Sequence, residues 1–178
     1  MATREFSFRK LKPNEIDCRI GTINEKGLSL LLYKDARVDM NVLDETVGAM
    51  NWKREHTRDN RNCIVSIYDE DKKEWVSKED TGTESNTEAD KGLASDSFKR
   101  ACVNWGIGRE LYSAPFIWID RTDANITMGN NGKYRCNDKF VVMKLTYKKN
   151  GDIDGLAIWN NKMKKMVFCQ EPKEKKDE

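Results

Sequence analysis

The stretch Thr83–Tyr112 constrains the fold most, because it carries both a helix start and a helix stop. Ser85-Asn86-Thr87-Glu88 has the capping-box pattern. A serine hydroxyl and a glutamate three residues on can satisfy the open amides of a first turn. Ala89, Leu93, Ala94, Phe98, Ala101, Cys102 and Trp105 follow. At 100° per residue they fall on one broad apolar face. Gly106 offers a left-handed stop, and Gly108 a second turn. The spacing predicts a helix of about five turns over 86–105. Lys99 lies on its polar face and Arg100 at the margin. Spacing alone leaves two readings open: solvated surface charge, or a cationic ridge that holds phosphates.

With 178 residues the chain can bury a real core, and a single domain over 1–169 is expected. Charged residues make up 35% and hydrophobic ones 38%, but the apolar positions are periodic, which argues against wholesale disorder. So much charge on a chain of this size is also compatible with extensive subunit contact. The formal net charge is only +2, so any basic surface must come from uneven distribution. Acids dominate 69–91, and lysine and arginine dominate 133–149. Cys18, Cys63, Cys102, Cys136 and Cys169 are widely spaced and odd in number. That pattern argues against a disulfide framework and a zinc knuckle. No apolar run suits a secretory signal or approaches the roughly 20 residues of a membrane span. A soluble protein of a reducing compartment is expected.

The remaining punctuation gives an α+β class, with antiparallel hairpins and helices on one face. Pro13–Ile16 suits a short helix start. Arg19–Ile23 and Leu28–Tyr33 read as strands around the turn 24–27. Asp35 can cap a helix in which Val38, Val42, Leu43 and Val47 recur, with Gly48 as its end. Residues 51–62 read as a polar connection. Cys63–Tyr68 and Glu74–Lys78 read as strands that lead into the main helix. Phe116–Ile119, Phe140–Tyr147 and Ile153–Trp159 are further strands, and 120–137 is a polar stretch suited to a long hairpin. Residues 170–178 form a charged tail expected to be disordered.

His56 is the only histidine, and nothing near it suggests an oriented catalytic pair. Neither a phosphate-binding loop nor a dinucleotide fingerprint is present. The carboxylates Glu79, Asp80, Glu84, Glu88 and Asp90 lie close enough in sequence to suggest a Mg²⁺-dependent nuclease. They equally suit a helix start. Nucleic-acid binding has more support. Lys53, Arg54, Arg58 and Arg61 form one basic set, Lys99, Arg100 and Arg109 a second, and Lys133, Arg135, Lys139 and Lys144 a third. Such residues neutralise phosphates without reading sequence. The five tryptophans could stack bases, although Trp75 and Trp105 suit a core or subunit contact better.

Glu88–Gly92, Asp96–Ala101 and Trp105–Tyr112 together closely resemble the Rad-fifty-two-type single-strand annealing proteins, above all the phage and bacterial branch. Tyr33–Arg37, Leu43-Asp44-Glu45, Gly48, Asn51-Trp52 and Glu79–Gly82 extend the resemblance over about 15–115. The resemblance implies a β-β-β-α core, assembly into rings or helical arcs, and a basic groove for single-stranded DNA. Lys99 and Arg100 match the family's inner-groove pair, and Tyr33 and Arg37 match groove-region residues. Val103 stands where eukaryotic members can carry another arginine, with Arg109 as its candidate replacement. The implied protein anneals strands in recombination and repair without ATP, cofactor or catalytic residue. Its partners are single-stranded DNA and further copies of itself, with a single-strand-binding protein or an exonuclease beside them and no membrane. A bacterial or phage-infected cytoplasm is the expected setting. An end-protecting binder of the same fold, a nuclease and a purely structural oligomer are the alternatives.

Overall fold

The computed structural model describes residues 7–83 and 89–173, with 89–91 as backbone only. In chain order the strands are β1 (Asp17–Ile23), β2 (Gly27–Tyr33), β3 (Trp52–Thr57), β4 (Asn62–Asp69), β5 (Glu74–Thr81), β6 (Ile117–Asp120), β7 (Ile126–Met128), β8 (Tyr134–Cys136), β9 (Phe140–Tyr147), β10 (Ile153–Asn160) and β11 (Lys165–Gln170). Helix α1 (Ala36–Val47) follows β2, and α2 (Ala89–Trp105) follows β5. The class is α+β with antiparallel sheets, as the sequence predicts. The capping box at 85–88 lies outside the described residues.

The backbone forms two compact units. The first holds the described residues up to Lys10 together with Asp35–Arg109. It is a β3-β4-β5 sheet with α1 and α2 packed on one side, giving the β-β-β-α order along the chain. Its core joins Val42 and Leu43 of α1, Cys63, Val65 and Ile67 of β4, and Phe98, Ala101 and Cys102 of α2. The period of two on β4 and the helical period on the two helices meet in this one cluster. Phe98 is fully buried and stacks on Trp52, with ring centroids 6.1 Å apart. Burying a side chain of that size contributes about 1.5–3 kcal/mol.

Strand β3 occupies 52–57, which the sequence reads as a polar connection. Its inward positions Trp52, Arg54 and His56 pair with the buried Ile67, Val65 and Cys63. They shield the core with long amphipathic side chains in place of aliphatic ones, so no apolar alternation shows in the sequence. The turn after it holds Arg58, Asp59 and Asn60 at φ of 52°, 52° and 65°. Three successive left-handed residues without glycine cost about 1–2 kcal/mol each. Two bonds fasten this turn: Ser97 Oγ donates to Asn60 O at 3.0 Å, and the Gly82 amide to Arg61 O at 2.7 Å.

The second unit holds Leu11–Lys34 and the described residues from Glu110 onward. Its six-stranded sheet runs β11-β10-β9-β1-β2-β6. The two edge strands approach each other, and Lys165 reaches across to Thr122 O at 3.0 Å and to Asp123 at 2.5 Å. Leu28, Leu30, Ile117, Ile119, Leu156 and Ile158 fill the inside. The polar stretch at 120–137 does contain a hairpin, β7-β8, next to which Asp138 accepts from the Asn125 amide and from Asn160 Nδ2, each at 2.8 Å. Strand β11, which the sequence analysis leaves unassigned, pairs along β10. At its end Gln170 Nε2 donates to Asp154 O, beyond it the Lys173 amide donates to Asp154 Oδ1, and residues 174–178 lie outside the described part.

Candidate nucleic-acid interface

Helix α2 sets the geometry of the first unit. Its end is a Schellman motif: the Gly106 amide donates to Val103 O at 2.9 Å, and the Ile107 amide to Cys102 O at 3.1 Å. Gly106 sits at φ 102°, a region that a side chain disfavours, and Ile107 folds back into the core. Arg109 caps the same end, donating to Val103 O at 3.1 Å and Asn104 O at 3.3 Å. Lys78 donates to Asn104 O at 2.8 Å and lies 4.6 Å over the Trp105 ring. Both cations therefore satisfy the negative end of the helix dipole.

With Leu93, Ser97, Phe98 and Ala101 buried, Lys99 and Arg100 are turned away from the core, half-exposed. Arg100 is not left to solvent. Its Nε donates to Asp96 Oδ2 at 2.9 Å, one helical turn back. The same oxygen accepts the Thr83 amide at 2.9 Å and the Thr83 hydroxyl at 3.1 Å. Burial pushes the Asp96 carboxyl up, but the Thr83 amide and the Arg100 guanidinium outweigh it, so Asp96 stays below the usual carboxylate range. In the sequence Asp96 is marked only by its place in the family motif. The signal that finds its role is the i, i+4 spacing to Arg100.

A second ion pair lies at the start of α1. Asp35 is its N-cap, accepting the Arg37 amide at 2.8 Å. The Arg37 side chain turns back in a fork on the same carboxylate, Nε to Oδ1 at 2.9 Å and Nη2 to Oδ2 at 3.1 Å. The Arg37 side chain and amide hold the Asp35 carboxyl down at about 2, and Lys99 adds a smaller favourable charge. Lys99 therefore lies within electrostatic reach of the N-terminus of α1. Among the described residues it makes no direct ion pair.

Arg37 is thus paired with Asp35 at the start of α1 and Arg100 with Asp96 on α2, while the Lys99 charge favours the ionised form of Asp35. Arg54 lies 4.8 Å over the Phe98 ring, on the helix side of the sheet. Lys53 is on the opposite sheet face, 4.5 Å over Trp75. Arg58 is at the tip of the β3-β4 turn, exposed. Tyr33 ends β2 in the second unit, and Lys133, Arg135, Lys139 and Lys144 belong to that unit too. Two of the indoles are engaged internally: Trp52 Nε1 donates to Asp44 at 2.6 Å and Trp105 Nε1 to Val65 O at 3.1 Å. Of the candidate metal carboxylates, Asp80 accepts from the Thr81 amide and from Asn104 Nδ2. Glu84, Glu88 and the Asp90 side chain lie outside the described residues. Among the described residues no group of three or more His, Cys, Asp or Glu could hold a metal ion. None of their helices is long and apolar enough to cross a membrane. The five cysteines form no disulfide.

Residues 65–128, from the middle of β4 through α2 to β7, match the model of the Rad52/22 family double-strand break repair protein. The single-stranded DNA-binding protein DdrA of Deinococcus radiodurans is 47% identical over 51 residues, 28% of this chain. The match spans only 24% of that relative's length. No solved structure matches. The matched region contains α2 with Asp96, Lys99 and Arg100, and over that region the chain is similar to the Rad52/22 family.

Proposed function

We propose that this protein binds single-stranded DNA and anneals complementary strands in recombination and repair, without nucleotide hydrolysis or other catalysis. The observation that carries the reading is that Lys99 and Arg100 lie on the outward side of a helix inside the family-matched region. Pairing and stacking release about 1.4 kcal/mol per step, so the reaction needs no energy source. What it needs is relief from strand repulsion and from slow encounter. Lysine and arginine gripping phosphates screen the charge and leave the base edges outward. The internal hydrogen bonds of Trp52 and Trp105 favour a phosphate grip over base stacking. We assign the grip to Lys99, Arg100 and Arg37, with Arg54 and Arg58 of the same unit as further contacts. Copies of the chain in a ring or helical arc would multiply weak contacts along one strand. Its place is beside DNA in a bacterial or phage-infected cytoplasm, with a single-strand-binding protein or an exonuclease for company.

A fluorescence annealing assay with complementary oligonucleotides tests this. The wild-type chain should accelerate pairing without ATP or Mg²⁺, and Lys99→Ala with Arg100→Ala should lose both the acceleration and most of the affinity. An unaltered affinity in the folded double variant across a salt titration would reject the assignment. Binding without acceleration would mark an end-protecting binder.

A further inference from the structure

We infer that Asp96 and Asp35 are built-in counter-ions of this interface, which phosphates must displace, and that they keep its grip on DNA weak and reversible. The inference rests on the proposed DNA-binding role of Lys99, Arg100 and Arg37.

Three observations lead to it. Each arginine of the cluster is already engaged by a carboxylate on its own helix or at that helix's cap: Arg100 by Asp96 at 2.9 Å, Arg37 by Asp35 at 2.9 and 3.1 Å. Neither carboxylate can swing away, because backbone holds both. Asp96 takes the amide and hydroxyl of Thr83, and Asp35 takes the first-turn amide of α1. Both are ionised throughout the neutral range, since each is held below the usual carboxylate range. Two fixed negative charges therefore stand beside three cations.

The electrostatic consequence is direct. A phosphate that reaches Arg100 or Arg37 meets a fixed negative charge at the same guanidinium. Two like charges about 6 Å apart repel appreciably near a protein surface. A guanidinium already paired with a carboxylate also neutralises less phosphate charge. Fewer counterions then leave the DNA on binding, which flattens the salt dependence. An annealing site gains from this, because the duplex product must leave. A grip of three bare cations would hold both strands and their product.

The experiment uses the full chain with a fluorescent oligothymidylate, titrated at several salt concentrations. Asp96→Asn and Asp35→Asn each keep an acceptor for the backbone amide and remove only the charge. Each should bind about three- to tenfold more tightly at low salt. Each should steepen the slope of log K against log salt by about 0.7, the contribution of one more neutralised phosphate on a single strand. The double variant should release duplex more slowly in the annealing assay. Wild-type binding that depends on Lys99, with both Asn variants folded but unchanged or weaker, would overturn the counter-ion inference and leave the DNA-binding reading standing. No oligothymidylate binding by wild type would overturn both.

Discussion

Gly82 lies so close to Ser97 that a Cβ placed on it would be 2.7 Å from the Ser97 amide nitrogen and 2.8 Å from Leu93 O. The segment between β5 and α2 therefore runs directly against the backbone of the helix. Contact with backbone cannot be relieved by a rotamer change, and the Gly82 amide is also bonded to Arg61 O. Gly82→Ala should lower stability by about 1–3 kcal/mol, read as a shift in the urea midpoint. An unchanged midpoint would mean that this approach is looser than the geometry requires.

Phe98 is the largest fully buried side chain of the first unit and stacks on Trp52. Removing it opens a cavity under both helices. Phe98→Ala should cost about 3–5 kcal/mol, whereas Phe98→Leu should cost much less. Equal losses for the two would argue against a packing role.

His56 links β3 to α2, with Nδ1 3.5 Å from Ser97 Oγ. Burial first, and the Arg54 charge second, lower its tendency to hold a proton. A base depressed in the fold is neutral there while the unfolded chain still protonates near 6.5. Stability from this term is present above pH 6.5 and is lost as pH falls through the lower folded value. The stability gap between wild type and His56→Gln should therefore narrow between pH 7.5 and pH 5. A gap that widens in acid would reverse the sign and refute the assignment.

In the second unit, Tyr147 Oη donates to Leu11 O at 2.7 Å. Burial, with Glu110 and Glu15 nearby, pushes its phenol up and keeps the donor hydrogen in place. Tyr147→Phe should lose about 1–2 kcal/mol, measurable by thermal melting. The loss should be nearly constant from pH 6 to pH 9, because the phenol does not ionise there.

Much of the fold was legible from the chain alone, because its signals are local. Asp35 before α1, Gly48 after it, and Gly106 closing α2 act through backbone geometry that neighbouring residues dictate. The apolar periods of α1 and α2 marked the helix faces that, with β4, became one core. The helical period placed Lys99 on the polar face and Arg100 at its margin. Tertiary structure decided the rest, since charge and register act across distance. It turned Trp-Lys-Arg-Glu-His-Thr into β3, where Arg54 covers Phe98 instead of joining a basic run. It put Lys53 on the far face, made Arg109 a helix cap, and gave Arg100 to Asp96 and Arg37 to Asp35. Residue type fixes how much charge a segment carries. Only the folded chain fixes which of those charges meet a partner and which remain for a ligand.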